Sequence, residues 1–368
     1  MRRYALCTGM MMVFFISFPV LAAPPLGLPE VPIPADNPQT PEKIALGDKL
    51  FNDKRFSSTG EVNCAFCHKQ DMAFTDQLPV SEGINKLTGT RNAPTVINAA
   101  YMTTQFLDGR EASLEEQAGQ PFINPVEMGL ADHEPILKIV RNDPEYAGMF
   151  KKVFGKSGDQ ITMKEVKQAI AAFERTIVAG DSPFDHYQYG GDKTAMSEAA
   201  IRGLEIFRGQ GRCVSCHVIE QTQALFTDNR FHNIGVGFLT LADKESPVAK
   251  ELLESKRKGV SVDVQVLTKK NTSELGRFAI SETIQDMSAF KTSTLRNIDK
   301  TAPYMHDGSQ KTLEDVVKFY NNGGRLEKTD PLSPFLDGGM RPLNLSKEQE
   351  ADLIQFLKAL TSPQFAQR

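Results

Sequence analysis

The chain has 368 residues, a formal net charge of −4 and five cysteines, with no tryptophan. A charge this close to zero is too small to indicate nucleic-acid binding, and the length suffices for two domains that each bury a core. Apolar residues recur mainly at helical spacing, so the sequence predicts a mainly α-helical fold.

The N-terminus predicts export. Residues 1–22 combine a basic start, an apolar run and a small-residue cleavage pattern, as in a cleaved signal peptide. The run is too short for a stable membrane span, and no second segment could cross a bilayer, so we expect a periplasmic protein. Cleavage would remove Cys7. The proline-rich residues 23–41 are predicted to form an extended, unpaired arm that ends where a helix opens at Pro41.

The pentapeptide Cys-x-x-Cys-His occurs twice, at residues 64–68 and 213–217. This spacing is typical of c-type haem attachment, whereas zinc needs four ligands around one point and a redox dithiol needs no following histidine. We therefore predict two covalently bound c-type haems. The attachment cysteines would be Cys64, Cys67, Cys213 and Cys216, and the proximal iron ligands would be His68 and His217.

Matching landmarks in the two halves indicate an internal duplication. Phe-Thr-Asp follows each motif, at 74–76 and 226–228, and Asp-Gly precedes a predicted helix in each half, at 108–109 and 307–308. We expect two cytochrome-c-like helical haem domains. Their predicted bounds are residues 42–185 and 186–368.

Capping residues place several helix starts. Ser113 and Thr312 each precede a helix with an acidic third position, and Ser346 begins a last helix predicted over residues 347–360. The charged stretch 243–270 has no counterpart in the first half. We interpret it as a solvated loop, with a docking surface for a partner as the alternative.

The sixth iron position decides whether each haem binds a small molecule or only transfers electrons. No histidine lies between His68 and residue 119, which favours a five-coordinate first haem, although His133 remains open as a ligand. Spacing alone leaves the second haem with several candidates. These are His232, Met287, Tyr304, Met305, His306 and Tyr320.

Longer stretches carry a family resemblance. They lie at 90–95, 106–110, 117, 124–128, 231–235, 294–297 and 301–308. In these stretches the chain resembles the bacterial dihaem cytochrome c peroxidases and their relative MauG, over nearly all of the predicted mature sequence. The resemblance implies that Gln117 and Glu127 form the distal pair of a peroxide-binding haem in the first domain. It also implies a Ca²⁺ between the haems, held by Asn92, Thr301 and Pro303.

Three features depart from the peroxidase pattern. Tyr320 stands where the typical peroxidase has the methionine ligand of its second, electron-transfer haem, and there it is similar to MauG. The loop histidine that blocks the first haem in many oxidised peroxidases is absent. Leu107 stands where the family usually has a tryptophan between the haems. Because an aliphatic side chain cannot carry a hole as an indole can, another route, such as backbone, calcium-bound water or Tyr101, would be needed.

The implied function is a periplasmic peroxidase that uses hydrogen peroxide to form high-valent haem iron. Its electrons would come from a small cytochrome c or cupredoxin, or from a protein substrate oxidised on its own side chains. The main alternative is a dihaem electron-transfer protein without peroxide chemistry, which requires two six-coordinate irons. A haem-based sensor is a third class, but the sequence offers no effector domain.

Overall fold

The computed structural model describes residues 23–241 and 244–366, so the predicted signal peptide lies outside the described residues. The described chain is mainly helical, and none of its helices is long and apolar enough to cross a membrane. Its α-helices, in chain order, are α1 (Pro41–Phe51), α2 (Cys64–Cys67), α3 (Leu114–Gln117), α4 (Gln120–Ile123), α5 (Glu134–Asn142), α6 (Pro144–Phe154), α7 (Met163–Glu174), α8 (Pro183–Gln188), α9 (Glu198–Arg208), α10 (Val236–Leu241), α11 (Glu245–Arg257), α12 (Val262–Thr268), α13 (Lys270–Ser273), α14 (Phe278–Ser281), α15 (Leu313–Asn321), α16 (Lys347–Lys358) and α17 (Pro363–Ala366).

Strands are short, as the scarcity of alternating patterns predicts. Strands β1 (Phe231–His232) and β2 (Phe290–Lys291) form an antiparallel pair. Single 3₁₀ turns complete the structure at Lys54–Phe56, Gln70–Met72, Ile84–Lys86, Ala99–Tyr101, Gly158–Gln160, Cys213–Ser215, Ile284–Asp286 and Ile298–Lys300.

The same helix pairing occurs in both halves. Helix α1 packs against α7, and α9 packs against α16. Both contacts depend on a glycine: a Cβ on Gly47 would lie 1.9 Å from the Ala169 carbonyl oxygen, and one on Gly203 would lie 2.0 Å from that of Asp352. Each pair lies within a separate apolar cluster. The division at residue 185 stays a prediction.

The predicted helix starts are confirmed. Thr40 caps α1, Ser113 caps α3 and Thr312 caps α15, in each case through a side-chain oxygen that accepts a backbone N–H. Ser346 caps α16, which ends at Lys358, two residues before the predicted end. Local side-chain chemistry therefore fixes where these helices begin.

The proline-rich arm has no helix or strand, as predicted, but it is held tightly against the two halves. The Leu26 N–H donates to the Asp181 carboxylate at 3.0 Å, and the Gly27 carbonyl accepts from the Arg296 guanidinium at 2.7 Å. Asn37 is fully buried. These side-chain contacts, together with backbone hydrogen bonds at 3.0 Å from the Asp181 N–H to the Leu26 carbonyl and from the Ala224 N–H to the Gly27 carbonyl, anchor the arm without strand pairing.

The interpretation of residues 243–270 as a solvated loop is wrong. This stretch contains α11 and α12, which share an apolar cluster with α10 and α14. Members of that cluster include Leu241, Val248, Leu252, Val266 and Leu275. The charged residues misled the sequence interpretation because they alternate with apolar residues that face this cluster.

Candidate haem sites

Two internal cavities each contain one Cys-x-x-Cys-His motif. The first is lined by Cys64, Cys67 and His68 together with Gln117 and Glu127. The second is lined by Cys213, Cys216 and His217 together with Tyr320. The structure therefore gathers each predicted attachment motif and its predicted distal residues around one space.

The two motif histidines have the orientation that an iron ligand requires. His68 donates its Nδ1–H to the Phe74 carbonyl at 3.2 Å, and His217 donates its own to the Phe226 carbonyl at 2.9 Å. A carbonyl can only accept, so Nε2 carries the lone pair in both rings. Desolvation lowers the pKa of both imidazoles, which favours the neutral form that binds metal. These residues fit a covalently attached haem in each cavity.

Glu127 is held in the wall of the first cavity by its backbone. The Glu127 carbonyl accepts from the Ile84 N–H at 2.9 Å, and a Cβ on Gly83 would lie 2.0 Å from the Val126 carbonyl oxygen. Desolvation, with a further contribution from Asp263, raises the pKa of Glu127 to about 7. The carboxyl group can therefore exist in either protonation state near neutral pH.

Glu174 also lines the first cavity, and the sequence interpretation missed it. Burial raises the pKa of Glu174 to about 8, and its Oε2 has no hydrogen-bond partner among the described residues. Helix α7 contributes Ile170 and Glu174 to the first cavity. Helix α16, which is placed similarly in the second half, contributes the apolar residues Leu353 and Leu357 to the second cavity. A carboxyl group spaced four residues from Ile170, on the apolar face of α7, is the signal that could have revealed it.

The second cavity separates the candidates for the sixth ligand. Both ring nitrogens of His232 are engaged, with Asp337 at 2.7 Å and Asp228 at 2.8 Å. As long as Cys216 is a free thiol, its sulfur and these carboxylates raise the pKa of His232 to about 10. Nε2 of His306 contacts the Glu274 carboxylate at 2.7 Å. His232 therefore offers no free nitrogen to iron, and Nε2 of His306 is already engaged.

Contacts also distinguish the remaining candidates for the sixth iron ligand. The Tyr304 hydroxyl donates to the Ile298 carbonyl at 2.9 Å, and Met287 packs in the cluster around α11 and α12. Met305 and Tyr320 line the second cavity, and no described residue hydrogen-bonds the Tyr320 hydroxyl. Burial raises the pKa of Tyr320, an effect that a bound ferric ion would oppose.

His133 does not line the first cavity. Its Nε2–H donates to the Gly119 carbonyl at 2.8 Å, and its ring packs edge-on against Phe122. With His133 placed there, the first cavity has no histidine opposite His68 among its described lining residues.

The wall between the two cavities contains Asn92 and Leu107, which line both. Asn92 donates its side-chain N–H to the Leu78 carbonyl at 2.7 Å, so Oδ1 remains free to bind a cation. Thr301 and Pro303 line the second cavity beside it. Oxygen donors of this kind suit Ca²⁺. Tyr101 lines neither cavity and donates its hydroxyl to the Pro29 carbonyl at 3.1 Å, so it lies outside this wall.

Comparison with known proteins gives consistent matches. The family profile described as di-haem cytochrome c peroxidase matches residues 41–194. The cytochrome-c peroxidase IdrP1 of Denitromonas iodatirespirans is 37% identical over 92% of this chain and 86% of its own length. The methylamine utilization protein MauG of Methylorubrum extorquens is 35% identical over 90% of this chain and 81% of its own.

Solved structures agree with these matches. A MauG-like protein associated with microbial copper homeostasis superposes with a TM-score of 0.72 and 31% identity, covering 96% of this chain and 99% of that one. The diheme peroxidase BthA of Burkholderia thailandensis superposes with a TM-score of 0.69 and 23% identity, covering 89% of this chain and 88% of its own, which shows the shared fold.

Proposed function

The chain belongs to the di-haem cytochrome c peroxidase family, and we propose that its two haem sites divide the reaction between them. The protein is a peroxidase that uses hydrogen peroxide, carries two c-type haems and works with protein partners. We assign peroxide to the first cavity and electron transfer to the second. When bound, the haem iron supplies the redox centre that peroxide oxidises.

The observation that carries this assignment is the Glu127 carboxyl in the wall of the first cavity, with a pKa of about 7. A carboxylate oxygen of Glu127 accepts a proton from one peroxide oxygen and returns it to the oxygen that leaves as water. Proton transfer is most effective when the pKa of the group lies near the working pH. The Gln117 amide, which lines the same cavity, orients the peroxide.

In the second cavity we assign the sixth ligand to Tyr320. The support is its position with His217 in one cavity and its unengaged hydroxyl, whereas His232, His306 and Tyr304 are hydrogen-bonded elsewhere. A phenolate oxygen stabilises more oxidised iron, whereas a thioether favours the reduced state. A tyrosine at this position is a similarity to MauG, and it favours an enzyme that needs no reductive activation.

Electron paramagnetic resonance of the ferric protein tests both assignments. We expect one high-spin signal from a first haem with an open position, and one low-spin signal from the second. In Tyr320→Phe the low-spin signal should be lost or changed, because the iron of the second haem would lose its oxygen ligand. Tyr304→Phe is the matched control, since this tyrosine lines the same cavity but hydrogen-bonds the Ile298 carbonyl.

Two outcomes would contradict these assignments. An unchanged low-spin signal in Tyr320→Phe would remove this residue as a ligand. Two low-spin signals in the unaltered protein would mean that both irons are six-coordinate, which favours the electron-transfer alternative or a peroxidase that needs activation.

We also propose that Asn92, Thr301 and Pro303 hold a Ca²⁺ between the haems. The support is the free Asn92 Oδ1 in the shared wall, with the other two residues lining the second cavity beside it. Because Leu107 replaces an indole in this wall, an ion with ordered water would help to connect the two sites.

Chelation tests the calcium assignment. Treatment of the holoprotein with a Ca²⁺ chelator should abolish most peroxide turnover and alter the low-spin signal, and added Ca²⁺ should restore both. Mg²⁺ should fail to restore them, since it requires shorter and more regular coordination. Full turnover after exhaustive chelation, with no calcium found by elemental analysis, would refute the site.

The partner and the compartment complete the proposal. We propose a periplasmic enzyme whose electrons come from a small cytochrome c, a cupredoxin or the side chains of a protein substrate. Tyr320 favours a substrate oxidised on its own side chains, as the similarity to MauG suggests. The absence of tryptophan from the whole chain means that any residue-based route to the partner uses other side chains.

A further inference from the structure

The first cavity is completed by a segment from the second half of the chain. Leu267 of α12 lines that cavity, and the Val266 carbonyl accepts from the Thr90 hydroxyl at 2.7 Å. Val126, next to Glu127, packs against the apolar cluster around α11 and α12. Helix α12 is therefore part of the wall on the Glu127 side.

Asp263, on the first turn of α12, forms two hydrogen bonds to the first half. Its Oδ1 accepts from Nε of Arg110 at 2.6 Å, and its Oδ2 accepts from Nδ2 of Asn124 at 2.9 Å. The side chains of Arg110 and Asp263 are only 7% and 18% exposed. The contact is thus enclosed enough for its charges to act on their neighbours with little screening.

Arg110 belongs to a balanced set of four enclosed charges. Asp108 accepts from Arg91 at 2.6 Å and from Arg110 at 3.0 Å, and Asp263 pairs with the other side of Arg110. The set contains two cations and two anions. Removing the Asp263 charge would leave one uncompensated positive charge beside the Glu127 pocket.

The charges that face Glu127 are few. Asp263 raises the pKa of Glu127 and Arg110 lowers it, while desolvation makes the largest contribution, upward. Cys64 and Cys67 also face it, but their sulfurs become uncharged thioethers when haem is attached. Arg110 and Glu127 line the same cavity, whose other charged lining residues are Glu82, Arg91 and Glu174. Of the nearby charges, those of Asp263 and Arg110 act most on Glu127.

We propose that Asp263 is a positioning residue of the peroxide site, which neutralises Arg110 and thereby controls the charge of Glu127. The inference rests on the proposed function for the role of Glu127 in the reaction. It assigns a part in the chemistry of the first haem to a helix that the second half provides.

The test is Asp263→Asn in the full-length holoprotein, because asparagine keeps the shape and one acceptor oxygen. If Glu127 acts as a base, the rate constant with peroxide rises with pH as the carboxyl ionises. Without the Asp263 charge, Arg110 would favour ionisation of Glu127 at lower pH. The rising part of the pH profile should therefore move to lower pH. At pH 6 we expect an increase of about three- to fivefold, with a slightly lower plateau at high pH because the base is weaker.

Infrared titration provides a readout that does not depend on activity. The band of the protonated Glu127 carboxyl is the one that disappears in Glu127→Gln, and its titration midpoint should fall in Asp263→Asn. The matched control is Asp352→Asn, which breaks an Asp–Arg pair with Arg202 in the second half. That variant should leave both the midpoint and the pH profile unchanged.

Two results would overturn the proposal: an infrared midpoint in Asp263→Asn equal to that of the unaltered protein, or an equal shift in Asp352→Asn. The role of Glu127 is tested separately. If Glu127→Gln reacts normally with peroxide, the assigned base is wrong, yet the infrared midpoint still reports whether Asp263 controls this carboxyl.

Discussion

Replacing Glu127 with glutamine is expected to slow the reaction with hydrogen peroxide by about 10²–10⁴-fold, the usual contribution of a positioned acid–base group. Glutamine retains the size of the side chain and can still form hydrogen bonds, but it cannot take up or return a proton at this site. The cavity wall around Gly83 and Ile84 should hold the amide where the carboxyl stood. The loss would therefore report proton transfer rather than collapse of the pocket.

Stopped-flow absorbance of the haem, recorded from pH 5 to 9, measures this rate constant. Glu174→Gln is the matched control, because Glu174 is a second carboxyl group in the same cavity with a raised pKa. It should retain a rate within a few-fold of the unaltered protein. A normal rate in Glu127→Gln, or an equal loss in both variants, would show that Glu127 has no special part in the reaction.

The largest loss of stability is expected at Asp185. Both guanidinium NH₂ groups of Arg296 donate to its carboxylate, at 2.8 and 2.9 Å, and both side chains are completely buried. Arg296 also donates to the carbonyls of Gly27 and Ala224, so the pair joins the arm to the second half. Asp185→Asn would leave the buried cation without its charge partner, which costs about 3–5 kcal/mol in the free energy of unfolding.

Denaturant unfolding of the holoprotein, followed by circular dichroism and haem absorbance, measures this difference. Asp352→Asn again serves as the control, since its partner Arg202 has a side chain that is 56% exposed. Breaking a pair whose arginine stays in contact with water should destabilise the protein much less. Equal destabilisation of the two variants would mean that burial does not make the Asp185–Arg296 pair exceptional.

The parts of the site that sequence could predict are those written in local patterns. Each Cys-x-x-Cys-His motif is recognised by the spacing of its residues. Helix starts such as Ser113 and Thr312 are recognised by a side-chain oxygen that caps the helix. The resemblance added Gln117 and Glu127, which the structure brings into the first cavity. Each of these assignments depends on neighbours a few residues apart or on a recognisable segment.

The parts that sequence could not predict depend on contacts between distant residues. Asp263 hydrogen-bonds Arg110, which lies 153 positions away in the sequence, and no local pattern around either residue indicates this contact. The same holds for His232, which looks like a candidate ligand until Asp337, 105 positions away, occupies its ring nitrogen. Charged residues in 243–270 suggested solvent exposure because composition does not reveal which face of a helix is covered.

The place of α12 in the wall of the first cavity makes the two halves of the chain unequal and inseparable. Two equal units could in principle be divided into independent cytochromes, each with a complete pocket. Here a fragment that ended before α9 would keep the first motif and Glu127 but lose Leu267 and Asp263. Water would then reach the Arg110 guanidinium and the carboxyl beside it. The lining of the first cavity is therefore complete only when both halves of the chain are present.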